Sequence, residues 1–413
     1  MARPLSVWLL KIGEHLPVKK DAKKMRSILL AEELVKRGHK VTWWTSAFDH
    51  FSKTWVFDKD TEFSADGYDV IALKGRGYKS NISLARFADH RIIAKKFSKA
   101  AEGKPKPDII LAAMPAYDLS CAAVNYGKKH NVPVIVDLRD QWPDIFLEHI
   151  PAFARPLARL ALAPDFNMLK TSVKGAAALC GMMDSILDWG LKYAGRGKTE
   201  WDRVFLLGHE ASSDYEETPR MQELKSKVNG RFTVTFIGTF ASYHNPSVLA
   251  ETAKLLKDKD ICFVLAGTGP HFEEIKKNAQ GLPNFFLPGW LNQKEINALL
   301  RFSSIGMCTS NMTAEFFPNK AFLYMSAGLP VISAFYGDFK KIAETEGFGF
   351  HYPPNDAKTL AKLILSLYED RELHRRMAEK SKAVFLEKFD ARRIYPEFAE
   401  YIENLAEHLR GKN

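Results

Sequence analysis

The sequence of 413 residues is poor in cysteine, and this narrows the classes of protein to which it can belong. Its four cysteines are far apart and form no C-x-x-C pair, at Cys121, Cys180, Cys262 and Cys308. A disulfide framework needs pairs of cysteines, and a structural zinc site needs closely spaced ones. The sequence therefore argues against both kinds of site, and it predicts a reducing compartment and no bound metal.

Long apolar runs are also missing. The N-terminus has only the short run from Val7 to Leu10, which predicts a first strand, and no stretch of about 20 apolar residues follows it. We therefore expect neither a signal peptide nor a membrane-spanning helix. The expected protein is cytoplasmic, either soluble or peripheral on the inner face of the membrane.

Acidic residues are outnumbered by basic ones, 49 against 59, which gives a net charge of +10 and favours an anionic partner. Five of the cations lie close together directly after the first predicted strand, at Lys19, Lys20, Lys23, Lys24 and Arg26. Loops after parallel strands line the ligand crevice, so this cluster predicts contact with an acceptor or with an anionic membrane surface. The alternative is a solvated loop that keeps the protein soluble. Interleaved aromatic residues typical of nucleic-acid binding are absent, and no nucleic acid is expected as a partner.

The length and the apolar pattern predict the fold class. A chain of 413 residues suits two domains of about two hundred residues each. Short apolar runs alternate with amphipathic stretches, which is typical of parallel sheets flanked by helices. The runs are Leu5 to Leu10, Lys40 to Thr45, Tyr68 to Leu73, Ile109 to Ala113, Val132 to Asp137, Ala177 to Cys180, Thr233 to Ile237, Ile261 to Ala266, Asn284 to Leu287, Ile305 to Cys308 and Pro330 to Ala334. We expect an α/β protein with two doubly wound Rossmann-like domains that face each other across a cleft.

The segment from Glu315 to Ile332 predicts a loop, a helix and a strand, with positive charge at the helix start. Pro318 has a fixed φ that suits a first helical turn, and Gly328 suits its end. Lys320 would then lie beside unpaired backbone N–H groups, which attract phosphate through their hydrogen atoms and through the helix dipole. Alternatively, Lys320 is a surface lysine on an ordinary helix, because most such units bind no phosphate.

This segment resembles the donor-sugar motif of the retaining family-four glycosyltransferases of GT-B architecture. The resemblance implies that Glu315 contacts hydroxyl groups of the donor sugar and that Lys320 neutralises the nucleotide diphosphate. The motif places a second acid, which holds the ribose, eight positions after the first, where this chain has Leu323. Leucine offers no acceptor to a hydroxyl group. Either Asn319 or Ser326 replaces the missing contact, or the donor is held differently, more weakly or not at all.

Further donor contacts are expected in the second half of the chain. Glycine turns follow two predicted strands, at Gly238 and Thr239 and again around Gly267, where the backbone can approach a ligand. His244 stands where relatives carry a cation, and it either substitutes for that cation when protonated or is a surface histidine. Trp290 either stacks near the nucleotide base or belongs to the core. The remaining expected donor contacts are Leu291, Phe317, Pro318, Asn319 and Leu323.

The first half carries the expected acceptor contacts. The stretch from Asp137 to Pro143 resembles the Arg-Asp-x-Trp-Pro element of enzymes that build bacterial surface polysaccharides. Asp140 and Trp142 could there orient a sugar by hydrogen bonding and by stacking, although Asp140 could equally be a helix N-cap or a partner of Arg139. Only Gly13 matches the loop that the family places after the first strand. The expected acceptor contacts are Gly13, Glu14, His15, Lys19, Lys20, Lys23, Lys24 and Trp142.

The resemblance implies a retaining glycosyltransferase that moves a hexosyl or hexosaminyl group from a UDP- or GDP-sugar to an acceptor hydroxyl. The expected acceptor is a saccharide or a polyprenyl-diphosphate-linked saccharide of surface-polysaccharide biosynthesis, such as lipopolysaccharide, O antigen or capsule. The expected catalytic residues are Glu315, Lys320 and Asp140, and the sugar nucleotide is a co-substrate, with no cofactor or metal. Two other functions stay open, a non-catalytic GT-B scaffold subunit and a sugar-nucleotide epimerase.

The same resemblance divides the chain. We expect an acceptor-binding domain at residues 1–208, a polar linker at 209–230 and a nucleotide-sugar-binding domain at 231–385. The last segment, 386–413, is expected to form a helix that crosses back to the first domain.

Overall fold

The computed structural model describes residues 3–18, 24–148, 150–212, 214–241, 246–313 and 317–411, which form two compact units. Unit 1 consists of Met1–Gly208 and Ile394–Asn413, and unit 2 consists of His209–Arg393. The segment 209–230, expected as a linker, lies within unit 2 and contains a helix at Pro219–Val228.

Unit 1 contains a sheet of eight strands and a separate two-stranded hairpin. Its strands are β1 Ser6–Leu10, β2 Lys40–Ser46, β3 Phe48–Asp49, β4 Thr54–Trp55, β5 Thr61–Ala65, β6 Tyr68–Leu73, β7 Ile109–Ala113, β8 Val134–Leu138, β9 Ala178–Gly181 and β10 Arg203–Val204. The large sheet has the order β10-β9-β8-β7-β1-β2-β6-β5, and all its pairs are parallel except β5 with β6. The chain leaves β1 toward β2 and later returns to its other side as β7, so the point where the order reverses lies between β1 and β7. Ligands of doubly wound sheets bind at such a point, beyond the carboxyl ends of the strands.

Helices connect the parallel strands of this sheet, except that β3, β4 and β5 lie between β2 and β6. They are α1 Arg26–Lys36, α2 Leu84–Ala101, α3 Tyr117–His130, α4 Asp144–Glu148, a 3-10 turn at Ala152–Ala154, α5 Arg155–Ala161, α6 Ala163–Gly175 and α7 Asp184–Ala194. The core beneath them is aromatic as well as aliphatic. Trp8 and Trp44, from neighbouring strands, meet edge to face with ring centroids 5.2 Å apart, and Phe97 of α2 packs against both.

The last helix, α16 at Ala391–Arg410, joins unit 1 from residue Ile394 onward. Phe398 stacks on Phe205 with ring centroids 4.2 Å apart, and the Tyr401 hydroxyl donates to the backbone oxygen of Trp201 at 2.6 Å. Glu403 accepts a hydrogen bond of 2.6 Å from Arg37. Apolar stacking and a charged pair therefore hold this helix in unit 1.

Unit 2 has a sheet of six parallel strands in the order β13-β12-β11-β14-β15-β16. The strands are β11 Phe232–Ile237, β12 Ile261–Ala266, β13 Phe285–Gly289, β14 Ile305–Cys308, β15 Val331–Ser333 and β16 Gly349–His351. The helices are α8 Pro219–Val228, α9 Ser247–Leu255, α10 Phe272–Asn278, α11 Gln293–Leu300, α12 Asn319–Ser326, α13 Asp338–Glu346, α14 Ala357–Glu369, α15 Arg371–Val384 and a π-helix at Phe385–Phe389. Here the order reverses between β11 and β14, so the carboxyl ends of these two strands mark the expected ligand edge.

Candidate functional site

Lys320 lies in the first turn of α12, beside the carboxyl end of β11. Its ammonium nitrogen is 4.1 Å from the ring centroid of Phe236. A Cβ atom on Gly238 would lie 3.0 Å from the same nitrogen, closer than side chains ordinarily approach. Because Gly238 has no side chain, the Lys320 ammonium group can pack against the glycine turn that follows β11.

Tyr324 fixes the helix that carries Lys320. Its hydroxyl accepts a hydrogen bond from the backbone nitrogen of Ile237 at 2.8 Å. Its ring packs directly on Gly306 of β14, where a Cβ atom would come within 2.2 Å of the ring. Residues four apart lie on the same helix face, so this anchor also turns Lys320 toward the end of β11.

The pKa of Lys320 is unusually low for a lysine. Burial lowers the pKa of its ammonium group to about 8. Among the residues that the structure describes, no carboxylate oxygen lies within 4.0 Å of that nitrogen. A partly desolvated cation without a nearby counter-charge gains free energy from an anionic ligand, and the start of a helix attracts the same ligand. This edge of unit 2 is therefore suited to a phosphate group.

The glycine turn at Gly267 packs closely against the glycine turn at Gly238. The backbone nitrogen of Gly238 donates to Ala266 at 3.0 Å, and that of Gly267 donates to Gly289 at 2.8 Å. A Cβ atom on Gly267 would lie 1.8 Å from the carbonyl oxygen of Gly238. Gly267, expected to contact the donor, is thus required first of all for the close packing of the two turns.

The residues beyond these turns differ in exposure. Trp290 is 66% exposed, which excludes the core alternative and leaves its ring open to stacking. Thr239 is exposed at the turn itself. Leu291 is buried, so its side chain is not presented to a ligand.

The start of α12 is held by aromatic packing. Phe317 stacks on Phe322 with ring centroids 5.0 Å apart, and it also contacts Phe339 and Phe389. Pro318 is buried at the N-cap position. The expectation that these two side chains contact the donor differs from the structure, in which they pack within unit 2 and set the helix start.

Two candidates were expected to replace the missing acid at Leu323. Asn319 is exposed on the first turn of α12, and Leu323 is half-buried. The Ser326 hydroxyl donates to the backbone oxygen of Leu323 at 2.8 Å, so its hydrogen atom is already used within the helix. Of the two, Asn319 has the more accessible side chain.

Some expected site residues lie outside the described residues. They are Glu315 and His244 in unit 2 and Lys19, Lys20 and Lys23 in unit 1. Lys24 is described, and its ammonium group donates to Glu32 at 2.8 Å.

Glu14 was expected to contact the acceptor, but the structure commits its carboxylate to the protein interior. It accepts hydrogen bonds from the backbone nitrogen of Ser27 at 3.0 Å and from the Ser27 hydroxyl at 3.1 Å, at the start of α1. It also forms an ion pair with Arg139. Arg139 in turn bonds Asp137 at 2.7 Å, and Arg26 bonds both oxygens of Asp137 at 3.2 Å. These four side chains form a buried charge network, defined here as Glu14, Arg26, Asp137 and Arg139.

Trp142 was expected to stack on a sugar, but it is only 5% exposed. The Arg86 guanidinium lies 4.3 Å from its ring centroid, and Phe87 and His90 stack on it, each with ring centroids 5.9 Å away. Its ring is therefore occupied by protein groups. Asp140 accepts a hydrogen bond from the backbone nitrogen of Gln141 at 2.8 Å, but α4 begins only at Asp144, so Asp140 is not the N-cap of that helix. Burial raises the pKa of the Asp140 carboxyl group.

Two residues of the loop after β1 that were expected to contact the acceptor, Gly13 and His15, are half-buried. Gly13 has a φ of +82°, in the region that favours glycine, and it lies close to the ring of His50. His15 shares a hydrogen bond of 2.9 Å with Asp49 and packs against Phe51. Burial raises the pKa of Asp49, but hydrogen bonds from Ser52 and His15 outweigh it, and the net shift is downward.

Sequence reasoning missed a cationic cluster at the reversal point of the unit 1 sheet, which we define as Lys11, His50, Lys53 and Arg86. Lys11 follows β1, and its ammonium group donates to the backbone oxygen of Met114, just after β7, at 3.1 Å. Burial and the Arg139 charge lower the pKa of Lys11 to about 7. Within the described ranges, Lys11, Lys53 and Arg86 have no carboxylate oxygen within 4.0 Å. In the sequence, this cluster was indicated only by the position of Lys11 directly after the first predicted strand.

His50 joins these cations. It shares a hydrogen bond of 2.6 Å with the Tyr78 hydroxyl, and the Lys53 ammonium and the Arg86 guanidinium lie 5.1 Å and 5.5 Å from the Tyr78 ring centroid. Burial, followed by the charges of Arg86, Lys53 and Lys11, lowers the pKa of His50 to about 4. The cluster is therefore positive even with a neutral histidine, and it is suited to a second anionic group.

Comparison with known proteins shows what unit 2 is similar to. Residues 218–384 match the model of the family "Glycosyl transferases group 1". Over 191 residues the chain is 26% identical to the O-antigen chain mannosyltransferase C of Escherichia coli, and the match covers 46% of this chain and 50% of that protein. It is 24% identical over 197 residues to the 2-deoxystreptamine N-acetyl-D-glucosaminyltransferase of Niallia circulans, with the same two coverages. The chain thus spans about half the length of the curated relatives it matches.

Solved structures give the fold of the whole chain. The Anabaena protein HepE in complex with UDP has a TM-score of 0.66 at 16% identity, and the match covers 97% of this chain and 100% of that one. The sucrose-phosphate synthase of Thermosynechococcus elongatus has a TM-score of 0.70 at 16% identity, with coverages of 97% and 99%. The chain therefore has the GT-B fold, and its residues 218–384 match the model of the glycosyl transferases group 1 family.

Proposed function

We propose that the protein is a retaining glycosyltransferase that moves a sugar from a nucleoside diphosphate to an acceptor hydroxyl. The observation that carries the proposal is Lys320, whose ammonium group lies against Gly238 and Phe236 with no described carboxylate nearby. When the bond between the anomeric carbon and the diphosphate breaks, negative charge develops on the diphosphate. A fixed cation and a helix start stabilise that charge as it forms, and this chemistry needs no metal.

The relatives support this class of reaction. The E. coli relative is named as an O-antigen mannosyltransferase, and HepE was solved with UDP. We propose a nucleoside diphosphate sugar as donor and surface-polysaccharide biosynthesis as the setting. In the reaction the acceptor oxygen attacks the anomeric carbon on the face from which the leaving group departs, and the acceptor proton passes to the departing diphosphate. The configuration at the anomeric carbon is thereby retained.

The cationic cluster of unit 1 supports an anionic acceptor. Lys11, Lys53 and Arg86 lie at the carboxyl edge of the sheet, where loops bind ligands. Cations with no described carboxylate oxygen within 4.0 Å favour an acceptor that carries phosphate or diphosphate. A polyprenyl-diphosphate-linked saccharide fits this requirement, and a neutral saccharide does not explain the cluster. Lys11, Lys53 and Arg86 thus replace Glu14 and Trp142 as proposed acceptor contacts.

Product analysis tests the proposal. The full chain is incubated with UDP- and GDP-sugars, with and without a polyprenyl-diphosphate-linked saccharide, and the products are analysed by mass spectrometry and NMR. We expect release of the nucleoside diphosphate, a longer saccharide and the anomeric configuration of the donor. Conversion of one sugar nucleotide into its epimer without acceptor would instead support an epimerase. Absence of both products, together with no calorimetric heat from UDP or GDP, would support the scaffold alternative.

The pH dependence of nucleotide binding tests the role of Lys320. In the free protein the pKa of Lys320 is about 8, so its positive charge is present below that pH and is lost above it. The terminal phosphate of UDP or GDP, with a second pKa of about 6, stays ionised over the same interval. We expect affinity to be constant from about pH 7 to 7.5 and to fall by up to about tenfold per pH unit above 8. Isothermal calorimetry in buffers of equal ionic strength measures this, and a flat profile to pH 9.5 would remove Lys320 from the site.

A further inference from the structure

A short segment of unit 1, residues 150–162, exposes large apolar side chains. Phe153, Leu157 and Leu160 are 88%, 72% and 70% exposed. They follow one another at spacings of four and three residues, across the 3-10 turn and α5, which places them along one face. Apolar side chains of this size are usually buried in a helix that packs on a sheet. The segment therefore presents an apolar ridge to the surroundings.

Both charged residues of this segment are cations. Residues 150–162 include Arg155 and Arg159 and no acidic residue. Arg159 also borders an open groove of about 420 Å³, which is lined by Asp144, Arg159, Lys170, Lys174, Trp189, Lys192, Tyr193 and Gly195. Four of these residues are cations and one is an acid. Lys170, Lys174 and Lys192 are exposed, and in the described part of the chain they form no ion pair within 4.0 Å.

We propose that residues 150–162 and the adjoining lysine groove form a docking surface for an anionic lipid bilayer. Apolar side chains on one face, with arginine and lysine beside them, are the pattern of helices that lie in the membrane interface. Phe153, Leu157 and Leu160 enter the boundary between head groups and acyl chains. The groove binds lipid phosphate, since anionic head groups attract clustered lysines.

The positive sign of this surface favours lipid over another protein as the occupant. A protein partner would have to bring matching acidic groups, whereas an anionic bilayer supplies negative charge wherever the apolar ridge enters it. No helix among the described residues has the length and apolar character needed to span a bilayer. This docking surface is formed by other residues than the basic cluster at 19–26, from which a membrane contact was expected.

Vesicle sedimentation tests this docking surface with the full chain and without sugar nucleotide, so the result does not depend on transferase activity. The vesicles are phosphatidylcholine with or without phosphatidylglycerol, in about 0.1 M salt. The ridge variant combines Phe153→Ser, Leu157→Ser and Leu160→Ser, and the groove variant combines Lys170→Glu, Lys174→Glu and Lys192→Glu. The matched control is Leu255→Ser, which changes a leucine that is 54% exposed in unit 2.

We expect the wild type and the control to bind anionic vesicles and both surface variants to bind at least tenfold more weakly. Binding of the wild type should fall at about 0.5 M salt, because screening shortens the electrostatic range. Equal binding by the wild type and the ridge variant, or no binding by the wild type, would overturn the proposal. A wild-type dimer in light scattering that is monomeric in the ridge variant would overturn it as well, in favour of a second copy as occupant. Circular dichroism confirms that each variant is folded.

Discussion

Replacement of Lys320 by methionine is expected to lower kcat/KM for sugar transfer by about 10²–10³-fold, the usual effect of removing one group that stabilises developing charge. Methionine keeps most of the length of the side chain and removes its charge. Because the nitrogen lies 4.1 Å from the centre of the Phe236 ring, an apolar chain fits the same surroundings. The loss should therefore arise from the missing charge and not from a change in packing. Initial rates of nucleoside diphosphate release measure it.

Folding provides the first control for this variant. A half-buried lysine without a described counter-charge is desolvated at a cost in free energy, and methionine avoids that cost. We therefore expect Lys320→Met to unfold at the same urea concentration as the wild type or at a higher one. A lower midpoint would mean that the lysine supports the structure of unit 2, and the kinetic result would then lose its meaning.

A second control removes an exposed lysine of unit 2 that belongs to neither α12 nor the glycine turns. Lys277 is exposed on α10, and Lys277→Met should leave kcat/KM within about twofold of the wild type, because an exposed charge at a distance is screened by solvent. Activity of Lys320→Met equal to that of Lys277→Met would contradict the proposed stabilisation of the leaving group.

Much of the fold could be predicted from the sequence because buried parallel strands leave strong apolar runs. Four predicted strands have the observed bounds, Tyr68–Leu73, Ile109–Ala113, Ile261–Ala266 and Ile305–Cys308. Strand β5, Thr61–Ala65, was missed. It pairs antiparallel at the sheet edge, and its side chains alternate between half-buried and exposed, so it has no apolar run. Edge strands of this kind carry a weak signal in a single sequence.

The site was less predictable because the sequence does not show which charges pair. Lys320 was found from its place at a helix start, which is a local pattern. Glu14 and Arg139 lie 125 positions apart, and their ion pair, which removes Glu14 from the acceptor site, follows only from the fold. Trp142 likewise belongs to the Arg-Asp-x-Trp-Pro element, from which a sugar contact was expected. In the fold, Arg86 and Phe87 from α2 cover its ring. The apolar ridge was not predicted either. Leucines are usually buried, and the sequence does not show that Leu157 and Leu160 are exposed.

Substitution of Asp137 by asparagine is expected to destabilise unit 1 by about 3–5 kcal/mol, the range for removing one partner from a buried ion pair. Asp137 has no exposed surface and bonds both Arg26 and Arg139. Burial alone raises its pKa, but the two guanidinium charges outweigh that effect and lower it. The carboxylate is therefore ionised at neutral pH, and its loss leaves two buried cations with Glu14 as their remaining carboxylate in the network. Urea unfolding at pH 7 measures the change in free energy of unfolding.

A double variant shows whether unpaired charge causes the loss. Asp137→Asn combined with Arg26→Gln again balances one cation, Arg139, with one anion, Glu14, so part of the stability lost in the single variant should return. In the wild type, the contribution of Asp137 is present above its unfolded pKa of about 3.9 and is lost as the pH falls through the lower folded value. If the losses of Asp137→Asn and Arg26→Gln add strictly in the double variant, the two side chains have no coupling energy, and unpaired charge is not the cause of the loss.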